Sequence, residues 1–252
     1  MKNQNLLKSL GAVALGLVLN MNPELLAGRN PNPRVMPANS TPYGKTYGNW
    51  GAAWWTWAAG IPKAENPVFD LTGEFCHVGQ EGPVWFLAGT FGGNATRTCT
   101  VPKGKALLIP MLNQVLNAPE DVPYSQFVAT HLGLDPSGLS DAEVMRIAVN
   151  WNLDHATFLA VTVDGVAVQN PAQYRDDSDV FPMVLSDIFA DFCYPAGPRE
   201  VNVADGYYVL LAPPTPGAHT IRLQSAQRFS VAAGDPFDFE FSLEVTYHLT
   251  VE

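Results

Sequence analysis

The sequence is poor in charge: Asp, Glu, Lys and Arg together make up 15% of its 252 residues, against 47% apolar ones. That balance excludes an intrinsically disordered chain, which needs high charge and few apolar side chains. Basic residues are scarcer than acidic ones, 14 against 24, for a formal net charge of −10. A surface this acidic repels phosphate backbones, so nucleic acid is not expected as a partner. The longest apolar run, Leu10 to Leu19, falls short of the roughly 20 residues of a membrane-spanning helix. There is no G-x-S-x-G elbow. The five histidines (His77, His131, His155, His219 and His248) form neither an H-x-H nor an H-E-x-x-H pair. The common serine-hydrolase and zinc-hydrolase signatures are therefore missing, and internal repeats are missing too.

What is present at the N-terminus has the anatomy of an export signal. Lys2 and Lys8 precede the short apolar run, Asn20, Asn22 and Pro23 break it, and Ala27 offers a small residue for cleavage. Residues 1–27 are read as a signal peptide and 28–41, rich in Pro and Asn, as a linker. The mature chain is expected to be secreted or periplasmic, with no membrane span once the signal is cleaved. Loss of Lys2, Lys8 and Glu24 would leave it one unit more negative. Three cysteines fit that compartment. Cys76 and Cys99 flank a segment that reads as a loop and strand folding back, so they are expected to pair. Cys193 is left over, and a buried free thiol is expected there.

The Gly and Pro content, 21 residues of each, points to many turns between short elements. Thr41 and Pro42 read as a helix start. Tyr43, Tyr47, Trp50, Trp54 and Trp57 recur at helical spacing, which predicts an amphipathic aromatic helix over 42–59 with Trp55 off the stripe and exposed. Beyond Pro83 the runs PVWFLAGT, KALLIPML, FLAVTV, YYVLLAP, HTIRLQS and FEFSLEVTYHLTV read as strands. Phe239, Phe241, Leu243, Val245 and Tyr247 of the last run are expected on one buried face. Asp164-Gly165 is a hairpin signal. Ser140 and Glu143 form a capping box for a helix inside an insertion at about 123–152. The fold expected is all-β: one β-sandwich domain over 42–252, immunoglobulin-like or jelly-roll, with an N-terminal aromatic helix and the helical insertion.

The stretches WWTWAAGIP, NPVFDLTGEFCHVGQEGPVWFLAGTFGG and RTCTVPKGKALLIPMLN, with VDGVAVQNPAQYR and DGYYVLLAPPTPGAHTIRL further on, resemble a family of uncharacterised exported bacterial proteins. The resemblance covers most of the mature chain. It implies export, pairing of Cys76 with Cys99 and a single domain, and carries no activity.

Candidate site residues gather where the aromatic helix meets the disulfide. Trp54 and Trp55 offer flat faces for stacking on sugar rings, while the alternative for the Trp50, Trp54 and Trp57 stripe is packing of the helix onto the sandwich. Asp70, Glu74 and Gln80 are expected to line a cleft beside them, held rigid by Cys76, with Arg97 either completing it or bridging to Asp70. Asp70 also reads as the holder of its own turn ending at Gly73. Asp176, Asp177 and Asp179 form an acidic cluster compatible with calcium, although the spacing is not that of an EF-hand. The function expected is an exported binding domain for a glycan or other envelope component. Alternatives are a secreted polysaccharide hydrolase with paired carboxylates, and a purely structural envelope protein.

Overall fold

In the computed structural model, which describes Asn32 and residues 34–252, the chain is mostly β: ten strands in two mixed sheets, with three α-helices. The proposed signal peptide lies outside the described residues. No described helix is long and apolar enough to cross a membrane.

In the first sheet, β1 (Val84–Phe86) runs parallel to β3 (Ala106–Asn117), which pairs antiparallel with β8 (Gly197–Leu211). The short strands β6 (Arg175–Asp177) and β7 (Phe181–Leu185) share the other edge of β8. The second sheet runs β2 (Gly93–Val101), β10 (Phe239–Val251), β9 (Gly217–Phe229), β4 (Ala156–Val163) and β5 (Val166–Ala167). Its β2–β10 pair is parallel and its other pairs are antiparallel. Asp164 and Gly165, at φ +51° and +78°, make the two-residue turn between β4 and β5 that the Asp-Gly pair predicts. One hydrophobic core takes side chains from both sheets, among them Leu107, Ile109 and Val209 of the first and Val161, Leu223 and Val245 of the second.

The aromatic helix differs from its sequence pattern in start and surroundings. Tyr43 sits at φ +53°, so Pro42–Gly44 is only a 3-10 turn. The α-helix, α1 (Tyr47–Gly60), begins where the Thr46 side chain accepts from Asn49 N. Ten of its 14 residues are buried, Trp55 included, so it is apolar on nearly every side rather than along one stripe. The exposed Trp55 expected from spacing is a buried one. Burying a tryptophan contributes about 4–6 kcal/mol by area, an upper figure.

The close seating of α1 needs two helix-interior glycines, each of which costs about 1 kcal/mol in propensity relative to Ala. A Cβ at Gly48 would lie 1.9 Å from the Asp177 carbonyl oxygen, and one at Gly51 would lie 2.3 Å from the Tyr208 hydroxyl. The Asp cluster serves the same docking. Asp176 accepts from Gly48 N at 2.7 Å, Asp179 from Asn49 Nδ2 at 2.8 Å, and Asp177 is ion-paired to Arg146. These carboxylates are thus occupied by protein donors, and no group of three metal-ligating side chains occurs among the described residues.

Part of the expected linker is docked rather than loose. Val35 bridges Leu211, Met36 N donates to Leu210 O at 2.8 Å, and the Tyr47 hydroxyl donates to Met36 O. The insertion forms α2 (Val122–His131) and α3 (Asp141–Asp154), the latter with the Ser140–Glu143 capping box in place. Cys76 and Cys99 are bonded, with Cα atoms 6.2 Å apart. Cys193 is exposed, not buried, because it ends a surface 3-10 turn (Asp187–Phe192) in the left-handed conformation at φ +63°.

Candidate functional site

The β3–β1 pairing stops at Leu108, so the outer edge of β3 beyond that residue has no strand beside it among the described residues. Along this edge lies a cavity of about 460 Å³, within the usual size range of small-molecule sites. Consecutive β3 residues, Leu112 to Asn117, line it, as a strand edge allows and a strand face does not. The second sheet closes the other side with Phe239, Phe241 and Leu243 at the start of β10. The helix α1 contributes Trp54 and Trp55, the loop after β1 contributes Gly89 to Phe91, and the turn after β7 contributes Phe189, Phe192 and Tyr194.

The lining is chiefly aromatic and aliphatic. Phe189 is its hub, with ring centroids 6.2 Å from Trp55, 5.9 Å from Phe91 and 5.9 Å from Tyr194. At the mouth stand Phe91, Phe192 and Phe239, which are 41%, 62% and 48% exposed. Large apolar side chains clustered in water at the rim of a cavity mark a binding surface more often than a fold requirement. They also explain why the C-terminal strand loses its regular burial at its start. Leu243, Val245 and Tyr247 are buried as the alternation predicts, while Phe239 and Phe241 turn to the cavity mouth.

One end of the lining is polar. Asp121, just before α2, is 8% exposed. It accepts from the Tyr194 hydroxyl, from Asn117 N at 2.7 Å and from Asn117 Nδ2 at 3.3 Å. Burial pushes its pKa above the ordinary carboxylate range, despite the Tyr194 and Asn117 hydrogen bonds that pull it down. Burial and the neighbouring carboxylate together push the Tyr194 hydroxyl up as well. Three lining residues keep buried polar atoms without a protein partner: the acceptor Asn117 Oδ1 and the donors Asn113 Nδ2 and Trp55 Nε1. Gln114 and Gln227 are already engaged by Asn152, whose Nδ2 donates to Gln114 Oε1 at 2.8 Å and whose carbonyl accepts from Gln227 Nε2.

Of the residues singled out from sequence, Trp54 and Trp55 line this cavity and Asp70, Glu74, Gln80 and Arg97 do not. Asp70 holds its turn, accepting from Thr72 N at 2.8 Å, Gly73 N at 3.0 Å and Phe75 N at 2.9 Å. Burial pushes its carboxyl up, but those bonds together outweigh burial, and the pKa lies below the ordinary value. Glu74 points to solvent. Gln80 clasps the backbone of Phe86 through both its amide oxygen and its amide nitrogen. Arg97 is 1% exposed. It donates to the carbonyls of Asp70, Ala88, Gly89 and Val68 and to the Tyr247 hydroxyl. It is the peg on which the cavity wall at Gly89 hangs, not a ligand contact.

The residues missed from sequence are Asn117, Asp121, Phe189, Tyr194, Phe239 and Phe241. One signal for them was in view. LNQVLN at 112–117 places three polar amides in a strand that is otherwise apolar. No protein-family model, curated protein or solved structure matches the chain, so the functional reading rests on this geometry.

Proposed function

We propose that the chain is an extracytoplasmic binding domain, a β-sandwich whose cavity between the sheets takes a small apolar ligand with one polar end. The observation that carries this reading is the cavity itself: aromatic walls, an exposed aromatic mouth, and unpartnered Asn117 Oδ1, Asn113 Nδ2 and Trp55 Nε1 in its lining. A buried polar atom left without a partner costs on the order of 1–3 kcal/mol, which a ligand's polar end would recover. A purely structural protein would have no use for that arrangement.

The lining favours an apolar envelope component over a glycan. A sugar presents hydroxyls around its whole ring and wants many polar partners, while the Trp54 and Trp55 rings meet each other edge to face at 89° instead of forming a flat platform. Hydrolysis by paired carboxylates has little support, because Asp121 is the single carboxylate in the lining. The Cys76–Cys99 disulfide and the N-terminal signal sequence support export, as does the resemblance to exported bacterial proteins. The core common to both sheets supports the sandwich. The parallel pairs β1–β3 and β2–β10 set it apart from the antiparallel immunoglobulin and jelly-roll patterns.

The test is a fluorescence titration with diphenylhexatriene, a neutral hydrocarbon that brightens in apolar sites. Saturable one-site binding is expected, and Val115→Trp, which places a large ring in the cavity, is expected to abolish it while the protein stays folded. Absent or non-saturable binding, or binding unchanged in Val115→Trp, overturns the reading.

A further inference from the structure

Charge at the polar end of the cavity narrows the class of ligand. The lining contains one carboxylate, Asp121, and no Lys, Arg or His. Every donor to Asp121 is neutral: the Tyr194 hydroxyl, Asn117 N and Asn117 Nδ2. The cation that holds the neighbouring Glu120 is committed there. Arg199 grips the adjacent Glu120 at 2.6 and 2.9 Å and the carbonyls of Pro195 and Pro198. Asp121 is thus a buried carboxylate without a cation, and a buried charge is ordinarily paired. Next to it, Asn117 is 2% exposed, and its Oδ1 is a second acceptor with nothing to accept from. The walls around this end are aromatic, and ring faces attract cations once water is excluded.

We infer that the cavity recognises an apolar amine, its ammonium group set against Asp121 and Asn117 Oδ1 and its hydrocarbon part against the aromatic walls. This deepens the binding reading and rests on it. At Asp121 and Asn117 a carboxylate ligand would meet a like charge and an acceptor, so the unpartnered donors Asn113 Nδ2 and Trp55 Nε1 are left to a ligand's acceptor atoms. A neutral hydroxyl would satisfy Asn117 Oδ1 but leave Asp121 unneutralised. An ammonium answers both with its three donors. Burial pushes the Asp121 carboxyl up, with the neighbouring Glu120 charge adding to it, and an ammonium set against it would offset that cost.

Phenylbutylamine, phenylbutanol and phenylbutyrate share one apolar body and differ in the head group. They are competed at neutral pH against bound diphenylhexatriene, first with the wild type, where no variant can misfold. The amine is expected to displace the probe at a concentration roughly tenfold or more below that of the alcohol, the scale of a charge-assisted hydrogen bond. The carboxylate is expected to be weakest. In Asp121→Asn, with each displacement referred to that variant's own probe titration, the amine's advantage over the alcohol is expected to vanish. Equal displacement by amine and alcohol in the wild type, or a retained advantage in Asp121→Asn, overturns the amine assignment and leaves the apolar cavity standing. Failure of the probe to bind overturns the binding reading, and the amine assignment with it.

Discussion

Arg97→Met separates a structural peg from a ligand contact. Methionine matches much of the arginine's length but carries no donor, so the carbonyls of Val68, Asp70, Ala88 and Gly89 lose the guanidinium together. The acceptors are backbone, so they cannot be removed with the arginine. The relief that comes from replacing both partners of a buried pair is not available here. Each hydrogen bond to a charged group contributes about 1.5–3 kcal/mol, but bonds sharing one side chain do not add. Each buried carbonyl left without a donor costs about 1–3 kcal/mol, not additively, so a total loss of about 3–5 kcal/mol is expected. For a domain of this size each kcal/mol moves the melting temperature by about 2–4 °C, so a fall of roughly 10 °C is expected. Arg97→Lys keeps the charge but not the planar fork and is expected to fall part of the way. Thermal and urea unfolding followed by circular dichroism measure both. A loss below about 1 kcal/mol would refute the peg. Full stability with lost probe binding would restore Arg97 to the ligand-binding role suggested by its sequence position.

Three further outcomes follow from the same geometry. Gly51→Ala drives a methyl to 2.3 Å from the buried Tyr208 hydroxyl, and calorimetry is expected to show about 1–3 kcal/mol lost, against the gain that helix propensity alone predicts. Replacing Cys76 and Cys99 together by Ala opens a closure of sequence separation 23, for a loss of about 3 kcal/mol by denaturant unfolding under matched non-reducing conditions. His219 lies 2.9 Å from Asp164 and 2.7 Å from the Thr215 carbonyl. Burial pushes this histidine down, but those two partners outweigh it and the net pKa lies above 6.5, while the net pKa of Asp164 lies below 3.8. The histidine's contribution is therefore full below pH 6.5 and fades as pH rises through its raised value, and the aspartate's fades as pH falls below 3.8. Stability-versus-pH curves for wild type and His219→Gln should diverge most between those limits and converge in alkali.

The elements were legible where local chemistry decides them. The Ser140 capping box, the Asp164-Gly165 turn, the Leu243–Tyr247 alternation and the Cys76–Cys99 pair are all found as their residues suggest. The aromatic helix was legible as a helix with one buried stripe, but not as one buried on nearly every side. Its spacing marks one stripe, whereas Gly48 and Gly51 let β6 and β8 close on it from another side. The site was legible only at Trp54 and Trp55. Asp70, Gln80 and Arg97 drew notice because polar residues gather near the disulfide, yet they satisfy backbone groups there. The residues that complete the cavity come from segments more than 100 positions apart, Asn117 and Phe241 among them. The unpaired edge of β3 that brings them together is a property of sheet pairing, which no local pattern in β3 encodes.

A crystal structure with a bromine-substituted apolar probe tests the central claim most directly, since anomalous scattering places the bromine without reference to any prior view of the site. One strong peak is expected inside the cavity, walled by Trp55, Leu116, Phe189 and Phe241, with the protein otherwise unchanged. A bromine found only on the outer surface, or a cavity collapsed onto its own side chains in a crystal soaked to saturation, would contradict it.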